Sequence, residues 1–278
     1  MISSVNQNGG GFVGSTTKNV NIIGSSLLAS SSHTNTITGT SVTHLYNLYI
    51  SFYFNFQKIK IGGGFVGHST STISITNGLV QNIQIQSSNN AGGFVGLCDT
   101  AIFNNCNLKV SNSSLVNILR ASNNAGGLVA LTQQTCTINS ANVENINITS
   151  TTSSSSGSAV GNSGNQLEIT NFKLESSNVN NVINGGSGVC GAVSGSNSFK
   201  CTNCFLSNLD IFSSSQNNIG GVVGSAQNVN ITNFKLDNTL GQYNNIYGSG
   251  NVGGIAGNVN IFTLINGSLE RTSVFGSS

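Results

Sequence analysis

Ile73-Ser74-Ile75-Thr76-Asn77 returns as Leu167-Glu168-Ile169-Thr170-Asn171 and again as Val229-Asn230-Ile231-Thr232-Asn233. Looser copies are Ala101-Ile102-Phe103-Asn104-Asn105, Cys136-Thr137-Ile138-Asn139-Ser140, Phe199-Lys200-Cys201-Thr202-Asn203 and Phe262-Thr263-Leu264-Ile265-Asn266. The first and third positions are apolar in every copy, the period-two signature of a half-buried strand. Upstream of each copy stands a glycine signature, clearest as Gly63-Gly64-Phe65-Val66-Gly67 and Gly92-Gly93-Phe94-Val95-Gly96. Its second position falls at residues 11, 64, 93, 127, 158, 188, 221 and 254, at intervals of 53, 29, 34, 31, 30, 33 and 33. A period near thirty residues denotes a stack of identical supersecondary units.

Three residues past the corner Asn an aliphatic returns, as Val80, Leu108, Val143, Leu174, Leu206, Leu236 and Leu269. A second Asn follows between apolar residues: Asn82, Asn145 and Asn208 directly, and Asn117, Asn181 and Asn245 after insertions of a few residues. The first repeat fits with Asn47, so its long interval is an insertion over about residues 28–44. Each unit thus reads as three short strands with corners at the glycine pair and at two asparagines. Asn suits a corner because it tolerates left-handed backbone, and stacked amides can bond one another in a ladder.

The chain is therefore predicted to be all-β: one array over residues 1–278, a three-sided parallel β-solenoid (β-helix) of about eight coils of roughly 30 residues. The crossover preference makes it right-handed. The interior columns are Ile73/Ala101/Cys136/Leu167/Phe199/Val229/Phe262 and Ile75/Phe103/Ile138/Ile169/Cys201/Ile231/Leu264. The corner column is Asn77, Asn105, Asn171, Asn203, Asn233 and Asn266, with Ser140 the exception. Insertions at Lys109–Leu115, Glu175–Asn178 and Asp237–Gln242 should all leave one side of the stack. Both middle residues of the glycine signature are apolar. A tight corner would turn both inward; otherwise Phe12, Phe65 and Phe94 would form an outer stripe.

Composition narrows function. Charged residues are 6% of the chain against about 25% in ordinary domains, and Asn fills roughly one position in six. A net charge of +2 leaves no basic patch, which argues against nucleic acid as a partner. No run approaches the length of a membrane span, and Met1-Ile2-Ser3-Ser4-Val5-Asn6 has no signal-peptide pattern. Neither end shows the polar cap that arrays use. The expectation is a fragment of a longer array, with neighbouring repeats beyond it.

The glycine signature followed by Asn-Cys, best seen as Gly92-Gly93-Phe94-Val95-Gly96 leading to Asn105-Cys106 and again at Asn203-Cys204, resembles the GLUG motif repeats. The resemblance covers nearly the whole chain apart from residues 28–44, with Ala130 and Ser140 as departures. It implies an extracellular or cell-surface β-solenoid of the kind found in adhesin-like or protease-associated proteins. It brings no catalytic residue.

Three features invite chemistry. Cys201-Thr202-Asn203-Cys204 has the spacing of half a zinc site, but His33, His44 and His68 lie far along the array, and buried thiols are the plainer reading. One position past the returning aliphatic, Glu144, Glu175, Asp237 and Glu270 form an acidic column. Carboxylates one strand spacing apart would suit a retaining glycosidase or Ca²⁺, yet Lys173 and Lys235 share their strands, as for a charge-compensated surface. A threonine column (Thr76, Thr170, Thr202, Thr232) has too irregular a neighbour for ice binding. Finally, Tyr46, Tyr49, Phe52, Tyr53, Phe54 and Phe56 would make an apolar contact patch if exposed.

The reading is a non-enzymatic, adhesin-like or structural surface or secreted protein with no cofactor and no catalytic or metal site. Its partner would be a protein or glycan at a cell surface. The alternatives are a carbohydrate-active β-helix enzyme working through the acidic column, and a passive scaffold for a domain elsewhere.

Overall fold

The computed structural model describes residues 8–28, 35–37, 59–151, 155–176, 180–193, 198–213 and 218–277. These form an all-β parallel solenoid of about six turns, without a helix. The strands join into parallel sheets of 13 and 16 strands and a two-stranded one. No helix of the described residues is long and apolar enough to cross a membrane.

Register is set by the alternating strand. Ala101 pairs with Ile73 and Cys136, Leu167 with Cys136 and Phe199, and Val229 with Phe199 and Phe262. The partner column Ile75, Phe103, Ile138, Ile169, Cys201 and Ile231 is fully buried. Each inward side chain therefore packs on its own counterparts above and below. In the last described coil Phe262, Leu269 and Val274 are 42%, 40% and 41% exposed, while their register partners Val229, Leu236 and Ile246 are 2%, 0% and 0%.

The glycine corner explains how two adjacent apolar residues both turn inward. In a strand successive N–H groups point to opposite sides. Here Phe94 and Val95 both donate to the Leu128 carbonyl, at 2.9 and 3.0 Å, and Phe65 and Val66 both donate to that of Phe94. The backbone has left extended geometry, so Phe65, Val66, Phe94 and Val95 are all 0% exposed. An outer phenylalanine stripe is thereby ruled out. Phe65 instead stacks on Phe12 at 4.6 Å and meets Phe94 edge-on at 5.0 Å. The glycines are needed for two reasons: the corner folds tightly on itself, so that a Cβ on Gly92 would lie 1.9 Å from the Val95 carbonyl oxygen, and the next coil approaches closely, so that one on Gly93 would lie 2.0 Å from that of Gly127. Where the signature decays, Ser158 stands in the column of Gly127, and its buried hydroxyl has no partner among the described residues.

At the second corner Asn77, Asn105, Asn171, Asn203, Asn233 and Asn266 all take φ between 52° and 56°. Their amides form a ladder with one polarity. Asn105 Nδ2 donates to Asn77 Oδ1 at 2.9 Å, Asn203 to Asn171 at 2.8 Å, Asn233 to Asn203 at 3.0 Å and Asn266 to Asn233 at 3.2 Å. Ser140 keeps the left-handed backbone, φ 65°, without an amide. In that coil Asn139 bonds Asn104 instead, at 3.0 Å.

Two contributions at this corner can be separated by substitution. Asn203→Ala should cost about 1–3 kcal/mol, combining the left-handed penalty of a Cβ residue with lost amide bonds. Asn203→Gly keeps the backbone at ease and should cost about half as much. Urea unfolding midpoints of the two variants check this; a Gly variant as unstable as the Ala one would leave the backbone no share.

Candidate functional site

The edge where the third strand begins carries the insertions at Lys109–Leu115, Glu175–Asn178 and Asp237–Gln242. Glu144 sits beside Glu175 and Ser207 beside Asp237 in the ladder that precedes this edge. Strands Asn117–Ala121, Asn181–Asn184 and Asn244–Ser249 follow it in one common ladder with Ile83–Gly92, Ile146–Ser150 and Leu209–Ser213. All three insertions thus leave the same edge. Residues 177–179 of the second lie outside the described residues.

The coils alternate. Asn82, Asn145 and Asn208 make tight left-handed corners, with φ 51°, 46° and 53°, and Arg271 does the same at 47°. Asn117 and Asn181 do not share that place. They lie one position further, in register with Ile83, Ile146 and Leu209, and they point inward and are fully buried. In the last looped coil the matching residue is Asn244, not Asn245; Asn245 pairs with Asp210 on the outer side. The reason is the loop itself: it replaces the corner, so no left-handed residue is required. A buried Asn then closes the backbone bonds that a tight corner would have closed.

These inward amides are fully used. Asn117 Oδ1 accepts from Ile83 N–H at 3.0 Å, and its Nδ2 donates to the carbonyls of Lys109 and Glu144 at 3.1 and 2.9 Å. Asn181 accepts from Ile146 N–H and donates to the Ser207 carbonyl, both at 3.0 Å. Asn244 accepts from Leu209 N–H at 2.8 Å and donates to the Glu270 carbonyl at 3.2 Å. The corner asparagines of the tight coils hold the loops from either side. Asn82 bonds both the hydroxyl and the N–H of Ser111, at 2.7 and 2.9 Å, while Asn145 donates to the carbonyls of Ser113 and Leu115. Asn208 donates to Ser176 O at 2.9 Å and accepts from Thr239 N–H at 2.8 Å. The loop over residues 110–116 is thus bonded to the tight corners of both neighbouring coils, at the places a loop in either neighbour would occupy.

The acidic column runs along this edge. Lys173 pairs with Glu175 at 2.5 Å, and Lys235 sits between Asp237 and Glu270 at 3.1 Å from each. Glu175 also accepts from Asn142 Nδ2 at 3.3 Å. Glu144 and Glu175 are neighbours in register and both are partly exposed. Desolvation pushes the Asp237 carboxyl up, but the Lys235 ammonium and the Asn238 N–H outweigh it and hold it below the ordinary carboxylate value. Hydrogen bonds to Glu270 and then Asp237 raise the Lys235 ammonium. A hollow of about 410 Å³ beside Lys235 is lined by Asn203, Phe205, Asn233 and Asn266 and by no member of the acidic column. Among the described residues no group of three or more His, Cys, Asp or Glu could hold a metal.

The cysteines divide. Cys201 and Cys204 are joined in a disulfide, Cα–Cα 6.2 Å, where buried thiols were expected. The left-handed Asn203 between them folds the chain so that both face inward. Cys98, Cys106, Cys136 and Cys190 are buried and in no disulfide among the described residues. Burial raises the Cys106 thiol to about 11 and pushes those of Cys98 and Cys136 well above the ordinary value, so none of these three is a ready nucleophile. Tyr46, Tyr49, Phe52, Tyr53, Phe54 and Phe56 lie outside the described residues.

No family model matches the chain, and searches of curated proteins and of solved structures give no match either.

Two substitutions probe this edge. Asn181→Ala strands the Ile146 N–H and the Ser207 carbonyl, each worth about 1–3 kcal/mol when buried unpaired, so unfolding stability should fall by about 2–4 kcal/mol. Lys235→Met should raise the Asp237 pKa, read by carbon NMR of its carboxyl. A depressed carboxylate pKa contributes stability that is present above the ordinary value and lost as pH falls through the depressed one. The variant should therefore lack much of that contribution at neutral pH, and its stability should fall less than the parent's as the pH drops through the carboxylate range.

Proposed function

We propose that this chain is a non-enzymatic, adhesin-like or structural repeat protein displayed outside the cell, contacting a protein or glycan through its long outer faces. In this reading it is one right-handed, three-sided array of eight coils of about 30 residues, flanked by neighbouring repeats. The observation that carries it is the state of the acidic column: its ion pairs lie at a partly exposed edge with lysines within 2.5–3.1 Å. A catalytic pair needs one carboxyl kept protonated by burial and the other charged, and lysine neighbours oppose that. The Cys201–Cys204 disulfide supports an oxidising compartment. The resemblance to GLUG repeats points the same way.

The test pairs attachment with hydrolysis. Beads coated with the protein should attach to cells or to extracted cell-surface material, and a Glu144→Gln/Glu175→Gln double variant should attach equally well. Cleavage of a polysaccharide by the parent protein, lost in the double variant, would replace this reading with an enzyme.

A further inference from the structure

The strand after the loop edge carries an outward column that changes character along the stack. Its register runs Gln86, Arg120, Thr149, Asn184 and then Phe212, Tyr247 and Phe275. The last three are successive partners and are 40%, 47% and 57% exposed. Two residues nearer the loops, the adjoining outward column holds Asp210, Asn245 and Ser273. Asp210 is gripped by two amides: Asn180 Nδ2 donates to its Oδ2 and Asn245 Nδ2 to its Oδ1, both at 2.8 Å. Tyr243, 61% exposed, ends the loop beside them.

We propose that Phe212, Tyr247 and Phe275, with the Asn180–Asp210–Asn245 row at their side, form a binding platform for a neutral polysaccharide. This rests on the adhesive reading above and names its ligand class. Exposed aromatic side chains in one row are unlike a solvated β face and mark a contact surface. Sugar rings present C–H faces that lie on aromatic rings, and hydroxyls at their edges that bond planar amides and carboxylates. The row supplies both kinds of partner side by side. Of the charged groups here, Asp210 is already held by its two amides, and the Arg271 guanidinium donates to the Asn238 carbonyl at 2.8 Å. Those bonds leave both charges in place, but the row itself carries a single charged group, Asp210, with no like-charged neighbour in its register to hold a polyion, so the fit is to an uncharged chain. The three rings cover two strand spacings, about 10 Å, the run of two linked pyranoses.

Affinity electrophoresis through gels containing hydroxyethyl cellulose, galactomannan, pullulan or polygalacturonate tests this with the full chain. At least one neutral polymer should retard the protein. Phe212→Ala/Tyr247→Ala should bind it at least tenfold more weakly, while Tyr247→Phe and the distant Phe205→Ala should bind as the parent does. Circular dichroism should match the parent and the unfolding midpoint should fall only slightly, since Phe212 and Tyr247 lie on the outer face and are 40% and 47% exposed. No retardation by any neutral polymer, retardation by polygalacturonate alone, or equal retardation of the double variant would each overturn the platform. So would self-association of the parent that the double variant abolishes, which would assign the row to a second copy. Cell attachment that survives in the double variant would sink the platform and leave the adhesive reading standing; polysaccharide cleavage would sink that reading itself.

Discussion

Everything in this molecule answers to one demand: the backbone of each coil must hydrogen-bond, in parallel and in register, to the coils on either side. A buried backbone polar group left unpaired costs about as much as a lost hydrogen bond, and a coil of thirty residues carries many. Side chains are then chosen by column rather than by neighbour in sequence. Ile138 contacts Phe103 and Ile169 because register places them there. Corners are where the demand is hardest to meet, since a turning chain points its polar groups away from the ladder. The glycine corner meets it by doubling two N–H groups onto one carbonyl. The asparagine corner meets it with left-handed backbone and an amide that extends the ladder through the side chains.

Those same corners made the fold legible. A left-handed position is costly for any residue with a Cβ other than Asn or Asp, and free only for Gly, which has none, so the position leaves a mark in sequence that composition alone would hide. Ser140 confirms where the constraint lies: it keeps the backbone angle and loses the ladder. Period-two alternation fixed which side chains enter the core, down to both columns of the main strand.

The candidate site was harder to read, for physical reasons. Asn117 and Asn181 look like corner residues because they precede an apolar pair, yet parity tells otherwise. Leu119 and Ile183, two residues on, point inward, so the asparagines do too. Following the inward aliphatics back across each loop would have found Asn244 instead of Asn245. Cys201 and Cys204 stand two before and one after the middle of a sharp turn, and spacing alone does not say that the turn brings them together. The row Phe212, Tyr247 and Phe275 is scattered across 64 residues of sequence and assembles only once loop lengths are set aside and the register of the last strand is known.

The alternation of tight and looped coils has a bearing on how such a chain can lengthen. A loop is clasped by the asparagine corner above it and the one below. Duplicating one looped coil would set two loops at adjacent levels and remove a clasp from each. Duplicating a tight coil together with its looped neighbour, about 63 residues, preserves every contact. The heritable unit of growth is therefore the pair, although the unit visible in the glycine signature is the single turn.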